Sequence, residues 1–484
     1  MNYPQIIQGG MGVAISAWPL AQAVAKQGQL GVVSGTALDA ILARRLQLGD
    51  LGGHMAEALG HFPIKEMADR VWDRYFIAGG KAPGAPYKSK PIFSIKPTTA
   101  LVELIIVANF VEVWLAKQGH DGLVGINLLE KIQLPTLPSL YGAMLAGVDV
   151  VLMGAGIPRA IPGILDKFAA CEKAEMRIDV AGGEASMTFD PARYGFTASL
   201  PRPQFFGIVA SASLAQILAK KCNPGADGFI VEGPTAGGHN APPRGNLTLN
   251  DRGEPIYGER DLVDFEKFRE LALPFWLAGS YGTHERLQEA LSLGAQGIQV
   301  GTAFAFCEES GLRPDLKAEV IRRCLANEVR VFTDPKASPT GFPFKVVGLP
   351  GSVSEESVVA ERTRVCDLGY LRETYQTPEG KIGYRCPAEP VEDYVRKGGD
   401  PAACEGRVCV CNGLMATAGF PQIHKGAVEA PLVTAGDDLA HISRYLRPGS
   451  KTYSARDVIE ALLGHRELDL TLATSLAPER VPAR

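Results

Sequence analysis

Short apolar segments bounded by glycine recur along the first 300 residues, and this recurrence restricts the possible fold more than any other feature. Most of the eight segments are separated by stretches of helical periodicity. They lie at residues 6–8, 28–35, 122–128, 148–154, 205–209, 228–231, 274–279 and 297–301. Buried strands that alternate with helices form parallel sheets, and eight repeats can close into a barrel. We therefore predict an α/β fold, a (β/α)8 TIM barrel, with a doubly wound open sheet as the competing arrangement.

The barrel accounts for residues 1–345, and the remainder of the chain has a different pattern. Three insertions interrupt the barrel, at about 40–120, 172–204 and 240–260, and the second of them has the pattern of a β-hairpin. The first includes a loop rich in Pro, Gly and Lys, 79–91, that is too polar for a core element. Residues 346–484 are predicted to form a C-terminal extension. It contains a Cys-rich segment, 366–411, and two terminal helical patterns, Asp438–Tyr445 and Ala455–Leu463.

Composition excludes several classes of function. The net charge of −4 argues against a nucleic-acid-binding protein that depends on a basic surface. No signal peptide and no uncharged apolar run of about 18 residues is found, so no membrane partner is expected. Nine cysteines among 484 residues are too few for a disulfide scaffold. We expect a cytoplasmic protein that acts on a small-molecule substrate, with a homo-oligomer as one possible state.

A glycine pair followed by a histidine stands directly after the sixth apolar segment. Gly237 and Gly238 lack a Cβ, so their backbone can approach a flat or anionic ligand closely. His239 is a candidate acid or base, because imidazole titrates near physiological pH. The alternative is a turn with an incidental surface histidine.

Two further glycine-containing turns follow the seventh and eighth segments. Gly279 and Ser280 end the seventh, and Gly301 and Thr302 end the eighth. Loops at these two positions form the usual phosphate site of barrel enzymes, with backbone N–H groups and a helix N-terminus as donors. The pattern therefore predicts a phosphate site, although two tight strand-to-helix turns would give the same residues.

Together these motifs resemble the nitronate monooxygenase family, formerly called 2-nitropropane dioxygenases. Flavin-dependent enoyl-ACP reductases belong to the same superfamily. The matching motifs occur in family order over roughly residues 4–345, and they are Ile6–Gly12, Gly125–Asn127, Ala236–His239, Leu277–Ser280 and Gln299–Thr302. Members of the family are FMN-dependent TIM-barrel oxidoreductases, so the resemblance implies FMN as the cofactor.

The resemblance also implies a role for each matching residue. The isoalloxazine ring would lie against Gly9, Gly10 and Met11 and would be hydrogen-bonded by Asn127. The flavin or its ribityl chain would be lined by Gly237 and Gly238. The phosphate would be held by Gly279, Ser280, Gly301 and Thr302. His239 matches the catalytic-site histidine beside the flavin, where it could position nitro oxygens, accept the α-proton of a nitroalkane or polarise a carbonyl.

Two positions depart from the family pattern. The family often has Pro at the position of Gly10 and Gln at the position of Glu232. We count Glu232 among the cofactor-binding residues, where a carboxylate would oppose flavin reduction unless it is protonated or turned away. The alternative for Glu232 is a solvated carboxylate or an ion pair, for example with Arg244. Arg244 itself could bind a substrate carboxylate or phosphate, or only hold its own loop.

The Cys-rich segment suggests a metal site. Cys366, Cys386, Cys409 and Cys411 form the favoured ligand set, with Cys404 as an alternate. Four thiolates can bind zinc tetrahedrally or hold an iron–sulfur cluster, and a segment with little core-forming periodicity often depends on such a group. The alternative is a set of reduced, partly buried thiols.

Three functions remain open at this stage. The first is an FMN-dependent oxidoreductase that oxidises alkyl nitronates with O2, as the resemblance implies. The second is a flavin-dependent reductase of an anionic unsaturated substrate, similar to the enoyl-ACP reductases. The third is a non-catalytic accessory protein that binds flavin or metal. No Gly-x-Gly-x-x-Gly motif follows the early strands, which fits an oxidase better than an NADH-dependent reductase.

Overall fold

The computed structural model describes residues 3–466, and a closed parallel sheet of eight strands lies at its centre. The barrel strands are Ile6–Gln8, Gly31–Ser34, Val124–Leu129, Val150–Gly154, Gln204–Val209, Gly228–Glu232, Phe275–Ala278 and Gly297–Val300. Around the sheet, the first strand pairs with the eighth, and each other strand pairs with its neighbour in sequence order. A parallel bridge between Ile7 and Leu30 joins the first strand to the second. The predicted (β/α)8 barrel is therefore confirmed.

Large apolar side chains fill the inside of the barrel. Trp276 stacks on Phe206 with ring centroids 5.0 Å apart, and its indole N–H donates to the Pro4 carbonyl oxygen over 2.9 Å. Ile7, Leu152 and Ile230 pack into the same cluster and are fully buried. Because side chains occupy the barrel interior, a ligand can bind only at its mouth.

Helices surround the barrel. Those of the barrel region are Trp18–Ala25, Leu38–Gln47, His54–Gly60, Lys65–Tyr75, Thr99–Ala116, Thr136–Leu145, Ile161–Ala169, Ala212–Lys220, Phe265–Arg269, His284–Ser292, Thr302–Ala305 and Pro314–Leu325. Thr99–Ala116 alone among the described helices is long and apolar enough to cross a membrane, and 83% of it is buried. Glu103 and Glu112 within it pair with Arg70 and Arg45, so protein covers both its apolar and its charged surface.

Helices and one hairpin lie in the segments that are predicted to be insertions, and the bounds of these insertions stay a prediction. Residues 40–120 are mainly helical, and the hairpin pattern of the second insertion corresponds to antiparallel strands Ala174–Ile178 and Ala185–Phe189. Short 3-10 helices lie at Pro191–Tyr194 and Glu259–Asp261. The third insertion is largely exposed and begins immediately after His239, so it lies beside the mouth of the barrel.

The extension continues from a hairpin that crosses residue 345. Its strands are Val331–Asp334 and Phe344–Val347, and two smaller hairpins pair Glu373–Gln376 with Ile382–Arg385 and Ile423–His424 with Ala427–Val428. Its helices are Glu356–Glu361, Val391–Arg396, Val410–Thr417 and Ala455–Leu462, with 3-10 helices at Pro401–Cys404 and Asp437–Tyr445. The division at 345 stays a prediction, and residues 467–484 of the proposed extension lie outside the described residues.

Candidate active site at the barrel mouth

A deep cavity opens at the carboxyl ends of the barrel strands and collects every residue that the sequence assigned to catalysis or to the flavin. It is lined by Gly9, Gly10, Met11, Asn127, Glu232, Gly237, Gly238, His239, Gly279, Ser280, Gly301 and Thr302. These residues come from strand ends that are far apart in sequence. Parallel closure brings all strand ends of one polarity to one face of a barrel, which is why the motifs meet.

The loop Gly9–Met11 is held by Ser16, which lies just before the helix Trp18–Ala25. The Ser16 hydroxyl donates to the Gly9 carbonyl oxygen over 2.8 Å and accepts the Met11 N–H over 2.8 Å. Because Ser16 is fully buried, these bonds fix the loop without competition from water.

Asn127 lies at the floor of the cavity and packs against Gly10. Its Nδ2 donates to the Gly10 carbonyl oxygen over 2.9 Å, and a Cβ at Gly10 would lie only 2.3 Å from the Asn127 Cβ. The Asn127 Oδ1 is buried and has no hydrogen-bond partner among residues 3–466. The same holds for Oε1 of Gln299, a cavity residue that belonged to a recognised motif but was not predicted to be functional. Two such acceptors indicate a ligand that carries hydrogen-bond donors.

His239 is held in place by a strand about 100 residues further along the chain. It forms an antiparallel bridge with Phe344, whose ring meets the imidazole edge-to-face at 4.8 Å. Its Nε2 lies 2.6 Å from the Ser338 Oγ, which is also 2.9 Å from the Thr340 hydroxyl. Although part of the ring faces the cavity, protein surrounds it, and this burial lowers the pKa of His239 to about 4. The imidazole is therefore neutral near pH 7.

Glu232 ends the sixth strand and also faces the cavity. Burial raises its pKa to about 7, with no compensating charge nearby. The suggested ion pair with Arg244 is not formed. Arg244 is exposed and donates its Nη2 to the Ala210 carbonyl oxygen over 3.2 Å, while its backbone N–H donates to Asp261. Arg244 does not line the cavity, so it holds its loop.

The predicted phosphate end has the tight turns that its glycines require. Gly279 has φ of +95° and Ser280 has φ of +55°, and a Cβ at Gly279 would lie 2.8 Å from the Thr235 Oγ1. Thr302 begins the short helix Thr302–Ala305, and its Oγ1 accepts the Gly436 N–H over 2.9 Å. The Thr302 hydroxyl thus keeps its own proton available for donation.

Gly436 belongs to a cavity wall that the sequence did not reveal. Extension residues Thr434–Asp438 cover the mouth at this end, and the Thr434 Oγ1 accepts the Gly238 N–H over 2.9 Å. Asp437 forms an ion pair of 2.7 Å with the buried Lys345. Asp438 accepts the Gly282 N–H over 3.1 Å. Because these contacts join segments that are 92 to 196 residues apart, no local sequence motif predicts them.

The favoured cysteine set also comes together. Cys366, Cys386, Cys409 and Cys411 line one small cavity, whereas Cys404 does not. Burial raises the pKa of all four thiols, that of Cys366 to about 11. Within residues 3–466, no three His, Cys, Asp or Glu side chains are arranged to hold a single metal ion, so the structure does not support the zinc alternative.

Comparison with known proteins shows which protein family part of the barrel resembles. Residues 167–333, which contain His239 and both phosphate turns, match the family model described as nitronate monooxygenase. The predicted family resemblance is confirmed. A probable nitronate monooxygenase of Bacillus subtilis is 33% identical over 121 residues, which cover 25% of this chain and 32% of that protein.

Two further relatives have different names. A Rhodococcus jostii protein named (3aS,4S,5R,7aS)-5-hydroxy-7a-methyl-1-oxo-octahydro-1H-indene-4-carboxyl-CoA dehydrogenase is 29% identical over 140 residues, covering 29% of this chain and 34% of its own. The solved structure of FabK from Thermotoga maritima aligns with 96% of this chain and 92% of its own, at 16% identity and a TM-score of 0.49. This chain thus spans about a third of the curated relatives' length.

Proposed function

We propose that this chain is an FMN-dependent oxidoreductase of the nitronate monooxygenase type, which oxidises alkyl nitronates with O2. The observation that carries the proposal is the convergence of His239, the glycine pair before it and both phosphate turns on one cavity. The family match over 167–333 includes all of these residues. All nine cysteines are free thiols, which agrees with a cytoplasmic location.

The cavity residues fit FMN. Close contact between Gly10 and Asn127 leaves no room for a side chain at Gly10, so a flat ring can lie against bare backbone. Asn127 and Gln299 offer buried acceptors without partners to the donor groups of the ring. Ser280 and Thr302 stand at the end where a phosphate would be held. When bound, FMN would supply the two-electron chemistry of the reaction.

His239 would bind and orient the substrate. A neutral imidazole carries one N–H donor and one free lone pair, and the Ser338 hydroxyl at Nε2 helps to fix the ring orientation. The N–H can donate to the anionic oxygens of a nitronate. With a neutral nitroalkane, the lone pair can instead accept the α-proton. Accepting the α-proton requires the uncharged ring that burial maintains.

Glu232 would control the charge beside the substrate. With a pKa of about 7, the carboxyl is about half protonated near neutral pH and can donate a hydrogen bond. The protonated carboxyl of Glu232 would add no negative charge beside the flavin when the flavin accepts electrons. The departure from the family pattern is therefore compatible with flavin reduction.

The proposal is tested by reconstitution and rapid kinetics. FMN is added to the purified protein, and flavin absorbance retained after gel filtration is measured. Anaerobic stopped-flow reduction is then followed with an alkyl nitronate and, separately, with NADH. We expect the nitronate to reduce the flavin and O2 to reoxidise it. Failure to retain FMN would refute the cofactor assignment.

Matched histidine variants test the role of His239. We expect His239→Asn to retain FMN but to reduce the flavin roughly 100-fold to 10,000-fold more slowly, the usual contribution of a positioned acid or base. His465→Asn is the control, because His465 is exposed and outside the cavity. Equal rates in the two variants would contradict a catalytic role for His239.

The second candidate is a flavin-dependent reductase or dehydrogenase of an anionic acyl substrate. The name of the Rhodococcus jostii relative, a carboxyl-CoA dehydrogenase, favours it. If NADH reduces the flavin and the alkyl nitronate does not, the result would favour the reductase or dehydrogenase. FMN binding without turnover by either donor would select a non-catalytic accessory protein.

A further inference from the structure

Four cysteines of the extension meet around one cavity although they come from three separate segments. Cys386 directly follows the strand Ile382–Arg385, whereas Cys366 lies in an irregular segment. Cys409 is the N-cap residue of the helix that contains Cys411. Convergence of all four sulfurs from such distant positions, with Cys404 left outside, is not explained by local chain geometry.

Two arginines supply positive charge beside the sulfurs. Arg372 lines the cavity and interacts with Cys366 and Cys386, and it has no salt bridge in the part of the chain that the structure describes. Arg362 is buried beside Cys409 and pairs with Glu429 through Nε, but its Nη2 has no hydrogen-bond partner in the described chain. An anionic group in the cavity would pair with Arg372, which lines it, and would lie near the positive charge of Arg362.

We propose that Cys366, Cys386, Cys409 and Cys411 ligate an iron–sulfur cluster. Zinc would require four sulfurs within about 3.8 Å of one another, from Zn–S bonds of about 2.3 Å, and no such single-ion arrangement exists among residues 3–466. A cubane cluster places each thiolate on a different iron, so its ligands surround a cage instead of a point. With four thiolates it is a dianion in its oxidised form, and the positive charge of Arg372 would offset part of this charge.

The cluster would share a wall with the barrel cavity. Leu371, Val410 and Cys411 line both the cysteine cavity and the cavity of His239. A reduced cluster gives up one electron at a time. Two such transfers with two protons from water would reduce FMN, and the electrons would come from a low-potential one-electron donor, which dithionite replaces in vitro. This electron transfer rests on the proposed FMN site, whereas the cluster itself does not.

Metal analysis of the full-length protein purified without oxygen tests the proposal. We expect iron and acid-labile sulfide in equal amounts, about four of each per chain. Dithionite should bleach a broad absorbance near 400 nm (approximately) and produce an electron paramagnetic resonance signal of a reduced cluster. Zinc in place of iron, or no iron after anaerobic reconstitution with Fe²⁺ and sulfide, would overturn the proposal. Because flavin contains neither iron nor sulfide, the iron and sulfide content distinguishes loss of the cluster from loss of FMN.

Single Cys→Ser variants identify the ligands. Each of Cys366→Ser, Cys386→Ser, Cys409→Ser and Cys411→Ser should lose most of the iron, whereas Cys404→Ser should keep it. Equal iron in all five variants would overturn the assignment. If a variant fails to fold, Arg372→Gln in the same assay should leave iron bound but lower the reduction potential of the cluster, because a positive charge has been removed. An unchanged potential would exclude a cluster beside Arg372.

Discussion

Replacing Glu232 by Gln should make folding stability less dependent on pH. The pKa of Glu232 rises from 4.5 in the unfolded chain to about 7 in the folded protein because the carboxyl is buried. Between these two values the folded state keeps a proton that the unfolded state has released. The free energy of unfolding of the parent protein therefore falls as the pH rises through this window and levels off above about pH 7.

The magnitude follows from the same pair of values. A pKa rise from 4.5 to about 7 corresponds to at most about 3 kcal/mol of lost stability at high pH, at 1.36 kcal/mol per pH unit. The side chain keeps some contact with cavity water, so we expect about 1–3 kcal/mol. Glu232→Gln, which cannot ionise, should gain this amount relative to the parent between about pH 4.5 and pH 8.

Urea unfolding of the FMN-free protein at several pH values measures this difference. Glu172→Gln serves as the matched control, because Glu172 is exposed and far from the cavity. The control should show a difference from the parent that does not change with pH. If Glu232→Gln behaves in the same way, the carboxyl is solvated and the reasoning from burial is refuted.

Three further predictions concern the loop before the first helix and His239. Gly10→Ala should weaken FMN binding at least tenfold in a fluorescence titration, because its Cβ would overlap Asn127; unchanged affinity would contradict the close packing. Ser16→Ala should lower the free energy of unfolding in urea by about 1–3 kcal/mol, since it removes the hydrogen bonds that the buried Ser16 hydroxyl makes with the Gly9 carbonyl oxygen and the Met11 N–H, and a loss below 0.5 kcal/mol (roughly) would argue against those contacts. The rate of flavin reduction should show no transition from His239 between about pH 5 and 8 and should fall towards pH 4, whereas a transition centred near pH 6.5 would contradict the lowered pKa.

The sequence predicts the barrel and its mouth because both depend on local patterns. Apolar segments bounded by glycine mark the strands, and the turn after each strand carries its ligand-facing residues. Parallel closure then fixes where these turns meet, so Gly279 and His239 can be placed together without coordinates. Parallel closure also explains why the residues implied by the family resemblance lie together in the cavity.

Contacts between distant segments could not be predicted in this way. Thr434 reaches Gly238 across almost 200 residues, and no periodicity connects the two. The loop 79–91 was interpreted as too polar for a core element, yet Lys90 is buried in an ion pair of 2.9 Å with Asp39. Asp39 also accepts the Tyr370 hydroxyl over 2.7 Å. The sequence of the loop does not show that Lys90 will meet Asp39, because only the tertiary structure brings the two residues together.

The connection of the first barrel strand to the eighth sets an order for assembly during synthesis. Ile6 pairs with Ile298, so the barrel cannot close until about 300 residues have left the ribosome. The wall at Thr434–Asp438 arrives more than 100 residues later and completes the mouth. Through most of its synthesis the chain therefore exposes an open sheet edge. Chaperones that cover such edges should bind the nascent chain before, and not after, Ile6 pairs with Ile298.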